Sequence, residues 1–302
     1  MHRKVAAVLK QKRNTNKLFA LFLAPSIIVF LVFMVWPICY NIYLSFLEWN
    51  MVSPLKKFVG LDNYFGLLND KAFLQSLINT GIYVLFLLVS CFAFPYFISY
   101  AMTHMVKQGQ STYRSLLFFP SLVSLAVAAT VFTWLFNGLS GPVAALAGKF
   151  GWKMPNWFSA KGWVLLVLSI ITTWKTFGYN LIVFLAAIVE VPVELIEAAK
   201  LEKASAWTIF WRIVMPLTSS TAFYVFIITF AFGLQYVFTP IHMITKGGPN
   251  NASTNLVYII YQYAFGFFQS GKAAAVAVIT VIIFFSLVIV YKKLEKKVHY
   301  EN

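Results

Sequence analysis

The sequence predicts an all-α membrane protein of six transmembrane helices, and three observations carry that prediction. Apolar residues make up 60% of the 302 residues and charged residues 11%, with a mean hydropathy of +0.77; a soluble domain carries about 25% charge. The apolar residues gather into runs of about twenty or more, the length that crosses a bilayer as a helix. The basic residues gather beside those runs, more densely on one side than on the other.

Taken in order, residues 1–17 form a basic tail, and the first span follows from Leu18 to Ile38. That run is too long for the apolar core of a signal peptide, and no small-residue cleavage site follows Trp36-Pro37, so it reads as a retained anchor. Residues 39–74 are mixed and polar, with a short amphipathic helix expected near the membrane surface. The second span runs from about Gln75 to Thr103, kinked at Pro95. A short loop at 104–113 leads to the third, Arg114 to Phe136, which contains Pro120. A Gly- and Trp-bearing loop, 137–162, precedes the fourth, Trp163 to Val189. The fifth spans Met215 to Phe238, and Gly247-Gly248-Pro249 marks a turn in the loop 239–272. The sixth is Ala273 to Tyr291, before a basic tail at 292–302. The membrane domain is thus 18–291.

Lys and Arg counts set the orientation. With the N-terminus inside, the inner segments hold fifteen of the 24 basic residues, the outer loops eight, and Lys175 lies within a span. That bias predicts cytoplasmic N- and C-termini, and a cytoplasmic segment between the fourth and fifth spans. The clustering beside apolar spans also turns the net charge of +15 away from nucleic acid and toward a lipid bilayer.

The segment 190–214 is the most informative. Glu190, Glu194, Glu197 and Glu202 are four of the nine acidic residues of the chain. Pro192 suits a first helical turn, Glu194 and Glu197 suit a helix N-terminus, and Ala198 and Ala199 favour helix. Ser205 can cap a second helix, Ala206 to Val214, before Pro216 interrupts it. The expectation is a helix–turn–helix outside the bilayer, on residues alone as consistent with an ordinary connector as with a docking element.

Glu197-Ala198-Ala199, then Ala204, Phe210, Ile213 and Pro216, resembles the EAA loop of the membrane subunits of ABC importers. Glu202 stands where Asp is usual, and Lys203 where a Gly admits a positive φ. Phe58 to Phe73, then Asn79-Thr80, resembles a stretch after the first span in sugar-type importer permeases. Trp174, Gly178, Asn180, Phe184-Leu185-Ala186 and Pro192, with Thr245 to Pro249, Thr254, Leu256 to Phe265, Gly271 and Ala273 to Ala275, resemble carbohydrate-importer permeases of the maltose-transporter large-subunit type. Phe238-Thr239 departs from the Phe-Asp common there. The resemblance implies the type I ABC importer permease fold. It also implies a heterodimer with a second permease, two cytoplasmic ATPase subunits, an extracytoplasmic solute-binding protein and a bacterial cytoplasmic membrane. Glu197, Ala198, Ala199, Glu202, Lys203 and Ala204 would then couple to the ATPase, whose ATP and Mg would lie on the partner chains, with no cofactor bound here. The fourth and fifth spans would line the path.

The chain's own chemistry fits a transport subunit rather than an enzyme. His2, His104, His242 and His299 sit near loops or ends without Cys or Asp at ligand spacing, and no GxxxxGK[ST] motif is present. Cys39 and Cys91 read as packing residues. Thr172, Lys175, Thr176 and Tyr179 fall at i, i+3, i+4 and i+7 on the fourth span, with Asn180 at the edge, while Trp174, Phe177 and Leu181 face away. Lys175 would cost about 2.5–3.5 kcal/mol facing lipid, so it is expected to face a partner or a watery path. Thr221, Tyr224, Gln235 and Thr239 repeat the pattern more weakly on the fifth span. Such side chains suit a sugar, and equally suit interhelical hydrogen bonds. An ion-coupled secondary transporter is the alternative, although the scarcity of intramembrane acids leaves little for proton coupling.

Overall fold

The computed structural model describes residues 22–105, 108–152, 154–160 and 162–299. The tail 1–17, the start of the first span at 18–21, and Lys107, Lys153 and Lys161 lie outside the described residues. The chain is almost wholly helical. Among the described residues five helices are long and apolar enough to cross a membrane, and one sharply bent helix pair makes a sixth crossing if its two halves form a single span.

α1 (Phe22–Leu44) is exposed along nearly its whole length and packs only through its C-terminal end, where Leu44 meets Leu47 and Ala274. A two-stranded antiparallel ribbon, β1 (Leu47–Glu48) on β2 (Lys57–Phe58), and α2 (Asp62–Leu68) follow. α3 (Lys71–His104) contains a wide π turn at Leu88–Ala93 just before Pro95. The wider turn absorbs the proline's missing donor, so the expected kink is a bulge within a continuous helix.

The third span departs most from expectation. It is two helices, α4 (Gln110–Leu122) and α5 (Leu125–Leu135), bent by 98°. Val123 and Ser124 are extended, and the Ser124 hydroxyl accepts from Val127 N–H to start α5. Pro120 tightens the end of α4 into a 3₁₀ turn, and a serine cap then restarts the helix. α6 (Pro142–Lys149) follows, then α7 (Trp163–Val189).

α8 (Val193–Leu201) and α9 (Ala206–Leu217) form the expected helix–turn–helix. α9 runs past Pro216 because a π turn at Phe210–Val214 accommodates it. α10 (Ser219–Thr245) therefore starts four residues later and ends seven later than the expected fifth span. The loop 239–272 contains a short apolar helix, α11 (Leu256–Gly266), before α12 (Ser270–His299).

α3, α7 and α10 form the centre. The buried Asn180 amide of α7 donates to the Cys91 carbonyl of α3 and, at 2.8 Å, to the Thr229 hydroxyl of α10. α7 is buried on several sides. Leu181 is fully enclosed and Trp174 packs on the core beside Phe132, so neither faces away from the bundle. Gly178 lets the α4 backbone lie against α7: a Cβ there would stand 2.1 Å from the Leu117 carbonyl oxygen.

The two ends of α3 lie about 50 Å apart at 1.5 Å per residue. At the Lys71 end, the Asp70 carboxylate caps α3 through Ala72 and Phe73 N–H and receives the Tyr263 hydroxyl and the Lys272 ammonium. Asn79 and Thr80, two of the residues in the carbohydrate-permease resemblance, lie further along α3. The Asn79 amide donates to the Asn251 and Thr254 carbonyls, and the Thr80 hydroxyl accepts from Leu256 N–H at the start of α11. At the His104 end, the α8–α9 hairpin packs on Tyr96 and Tyr100.

Candidate coupling loop and translocation face

The hairpin's geometry follows from its last helical turn. Lys203 N–H donates to Lys200 O, and Ala204 N–H donates to Ala199 O, both at 3.0 Å. This is the Schellman arrangement, in which the first of the two donor residues is left-handed. Lys203 takes that place with φ 56°, in the conformation that glycine adopts without cost. Ser205 then caps α9 by accepting from Thr208 N–H at 3.1 Å. One face is anchored: Ile196, Ile209, Phe210 and Val214 are buried, and Ala199 and Ala204 pack against them. Tyr96 stacks on Phe184 at 4.2 Å and meets Phe210 edge-on, fixing the hairpin to α3 and α7.

The other face is bare. Glu194, Glu197, Ala198, Leu201, Glu202 and Lys203 are exposed, Leu201 at 85%. Three carboxylates around a small alanine and a projecting leucine make a surface that an apolar patch with basic neighbours would fit.

The two expected polar stripes divide. Thr172 and Thr176 are buried, and each hydroxyl bonds the carbonyl one turn back, Leu168 at 3.1 Å and Thr172 at 2.9 Å. Asn180 lies with them inside the bundle, its amide N–H groups bonded and its Oδ1 without a partner among the described residues, and the three open onto no outer face. Lys175 is half-buried midway along α7. Its ammonium donates to the Ser121 carbonyl, and the Ser121 hydroxyl donates back to the Lys175 carbonyl at 3.0 Å. The lysine thus caps the end of the broken third span, satisfying a carbonyl freed there. Tyr179 alone of this stripe reaches the open side, where its hydroxyl meets that of Tyr224 at 2.9 Å.

On α10, Thr221, Tyr224, Ile228, Ala231, Gln235 and Thr239 follow one another at helical spacing, and all are exposed or half-exposed. The apolar Ile228 and Ala231 split the polar members into two groups, Thr221 with Tyr224 and Gln235 with Thr239. The side chains of Thr221, Gln235 and Thr239 have no hydrogen-bond partner among the described residues. Phe232 stacks on Tyr236 at 4.5 Å and lies 6.2 Å from Tyr179. Thr221 and Tyr224 border a cavity of about 490 Å³ between α7 and α10 that ends at Glu190. Nothing in the sequence separates Phe232 and Tyr236 from the core aromatics of an apolar span, so only the structure brings them to this face.

A long bundle of apolar helices with a broken pair and an outward hairpin is the architecture of a multi-pass membrane protein. The chain belongs to the family of binding-protein-dependent transport system inner membrane components, whose model matches residues 96–300. It is 32% identical over 288 residues to a probable ABC transporter permease protein, YurN, of Bacillus subtilis (strain 168), spanning 94% of this chain and 98% of that one. It is 30% identical over 281 residues to the sn-glycerol-3-phosphate transport system permease protein UgpA of Agrobacterium fabrum, spanning 93% and 95%. Its fold matches a chain of a bacterial ABC transporter involved in the import of the acidic polysaccharide alginate, with TM-score 0.80, 20% identity, and 96% and 98% of the two chains covered. The same fold recurs, with TM-score 0.81, in that transporter in complex with an alginate pentasaccharide-bound periplasmic protein. The protein is a multi-pass ABC importer permease.

Proposed function

We propose that this permease forms half of a carbohydrate translocation path and is driven by ATPase subunits that dock on α8. The observation that carries the path is the α10 face. Thr221, Gln235 and Thr239 lack partners among the described residues, and an amide left unpaired in a span is costly against lipid. The break at Val123–Ser124 points the same way, since irregular backbone at membrane depth is tolerated only against protein or water. Hydroxyls and an amide beside the Tyr179, Phe232 and Tyr236 rings suit a polyhydroxylated ligand, whose C–H faces pack on aromatic rings while its hydroxyls exchange hydrogen bonds. The relatives named for sn-glycerol-3-phosphate and alginate support a polyhydroxylated substrate. Of the residues expected to line the path, Tyr179, Tyr224, Gln235 and Thr239 take that role. Thr172, Thr176 and Asn180 hold the bundle, and Lys175 holds the broken span.

The second permease covers the open α10 side, and a solute-binding protein delivers from the face that carries Asp70. The termini and the α8–α9 hairpin are cytoplasmic, as the lysine and arginine bias requires. Glu197, Ala198, Ala199, Glu202, Lys203 and Ala204 transmit ATP-driven closure, with ATP and Mg on the partner chains. The test is uptake by the reconstituted complex. Gln235→Leu should lower carbohydrate uptake about tenfold or more while the complex assembles normally, whereas Thr172→Val should act on stability rather than on substrate KM. Parental uptake by Gln235→Leu would remove α10 from the path.

A further inference from the structure

The outer polar group of α10 does not stop at Thr239. Three residues on, His242 is exposed, and no side chain or backbone group hydrogen-bonds its imidazole among the described residues. Aromatic rings surround it. Phe238 stacks on it at 5.7 Å and 5°, and Tyr261 of α11 meets it edge-on at 5.1 Å. Phe238 and Tyr261 touch each other at 5.5 Å, and Phe265, 62% exposed, extends the group at 5.4 Å from Tyr261.

We propose that Gln235, Thr239 and His242, with the Phe238 and Tyr261 rings, form a second carbohydrate subsite at the end of α10 remote from the coupling hairpin; this rests on the carbohydrate reading of the path. An amide, a hydroxyl and an imidazole supply donors and acceptors together, and the rings supply an apolar wall, the two-sided lining that a sugar ring requires. A lipid-facing belt accounts for the aromatic rings but leaves the Gln235 amide and the imidazole unsatisfied in hydrocarbon. The subsite is distinct from the Tyr179–Tyr224 pair, because the apolar Ile228 and Ala231 stand between the two on the shared face. Tyr224 and His242 are eighteen residues apart, about 27 Å along the helix, and Gln235 to His242 spans about 10 Å, room for more than one linked ring. The physical consequence is a preference for oligosaccharides, which occupy both subsites as they enter.

The test uses the assembled complex in lipid nanodiscs or proteoliposomes. KM values are compared for gluco-, galacto- and manno-configured saccharides of one to four rings. His242→Ala should raise the KM for tri- and tetrasaccharides about tenfold, equivalent to about 1.4 kcal/mol, and shift the monosaccharide KM far less. His242→Gln, which keeps a donor and an acceptor, should recover part of that loss. An equal shift at every chain length, or none, would overturn the second subsite, as would loss of the second permease from the purified His242→Ala complex, which would mark the face as a subunit interface. If the parent complex takes up no saccharide but does take up amino acids or peptides, the carbohydrate reading itself fails; a failure confined to the His242 variants removes this subsite alone.

Discussion

Lys203 and Asp70 show how single residues set the geometry at the two ends of the molecule. Lys203 sits in the left-handed region at φ 56°, where a side chain costs about 1 kcal/mol relative to glycine. Lys203→Gly should therefore leave uptake at the parental level and slightly raise the melting temperature of the complex, while Lys203→Val should lower both, because a β-branched residue resists positive φ. Asp70 is the corresponding point at the other end. Burial pushes its carboxyl up, but the bonds from Lys272, Tyr263 and Ala72 N–H outweigh that and hold it below its ordinary value. A depressed carboxylate contributes stability that is complete above its unfolded pKa, near 3.8, and is lost as pH falls through the folded value. Asp70→Asn should thus flatten the fall of melting temperature below about pH 4, and Asp70→Ala should cost about 1–2 kcal/mol through the lost cap. A melting profile for Asp70→Asn that still tracks the parent in acid would place the titrating group elsewhere.

Among the elements, the broken third span and its seat on α7 carry the sharpest expectation. Gly178 lets the α4 backbone lie against α7, and Lys175 and Ser121 exchange hydrogen bonds one turn away. Gly178→Ala forces the two helices apart and should destabilise the subunit by about 1–3 kcal/mol, visible as lower recovery of folded complex. Lys175→Leu should insert in the membrane at least as well as the parent, yet lose transport as the break loosens; unchanged transport would reduce the lysine to a snorkelling side chain.

Much of this element-level structure is legible in the sequence, and some is not, for physical reasons. Span length finds the crossings, and the cap residue Ser205 and the resemblance at Glu197-Ala198-Ala199 find the hairpin. Helical periodicity places Thr172 and Thr176 on one face with Asn180 at its edge, but it cannot say which neighbour a face meets, and here it meets α3 and α10 of the same chain. Pro120 reads as an ordinary proline within a span because the decisive signal, Ser124 as a restarting cap, is local and weak. α11 escapes a reading by span length because eleven residues are too few to cross a bilayer.

At the scale of the whole molecule, the bundle joins the unsatisfied polar groups of α10 to a bare acidic hairpin through the packed rings of Tyr96, Phe184 and Phe210. Force applied at α8 would reach α3 and α7 directly. Glu197→Lys should leave insertion intact but uncouple ATP hydrolysis from uptake, since it inverts the charge presented to a partner. The central claim is that this permease moves carbohydrate only within an ATP-driven assembly. The most direct measurement is purification of the tagged chain in mild detergent, identification of what co-elutes, and reconstitution of that complex with carbohydrate. The account predicts recovery with a second permease and a P-loop ATPase, with ATP-dependent uptake abolished by Glu197→Lys. Carbohydrate or ion-gradient-driven uptake by the isolated chain, with no ATPase recovered, would contradict it.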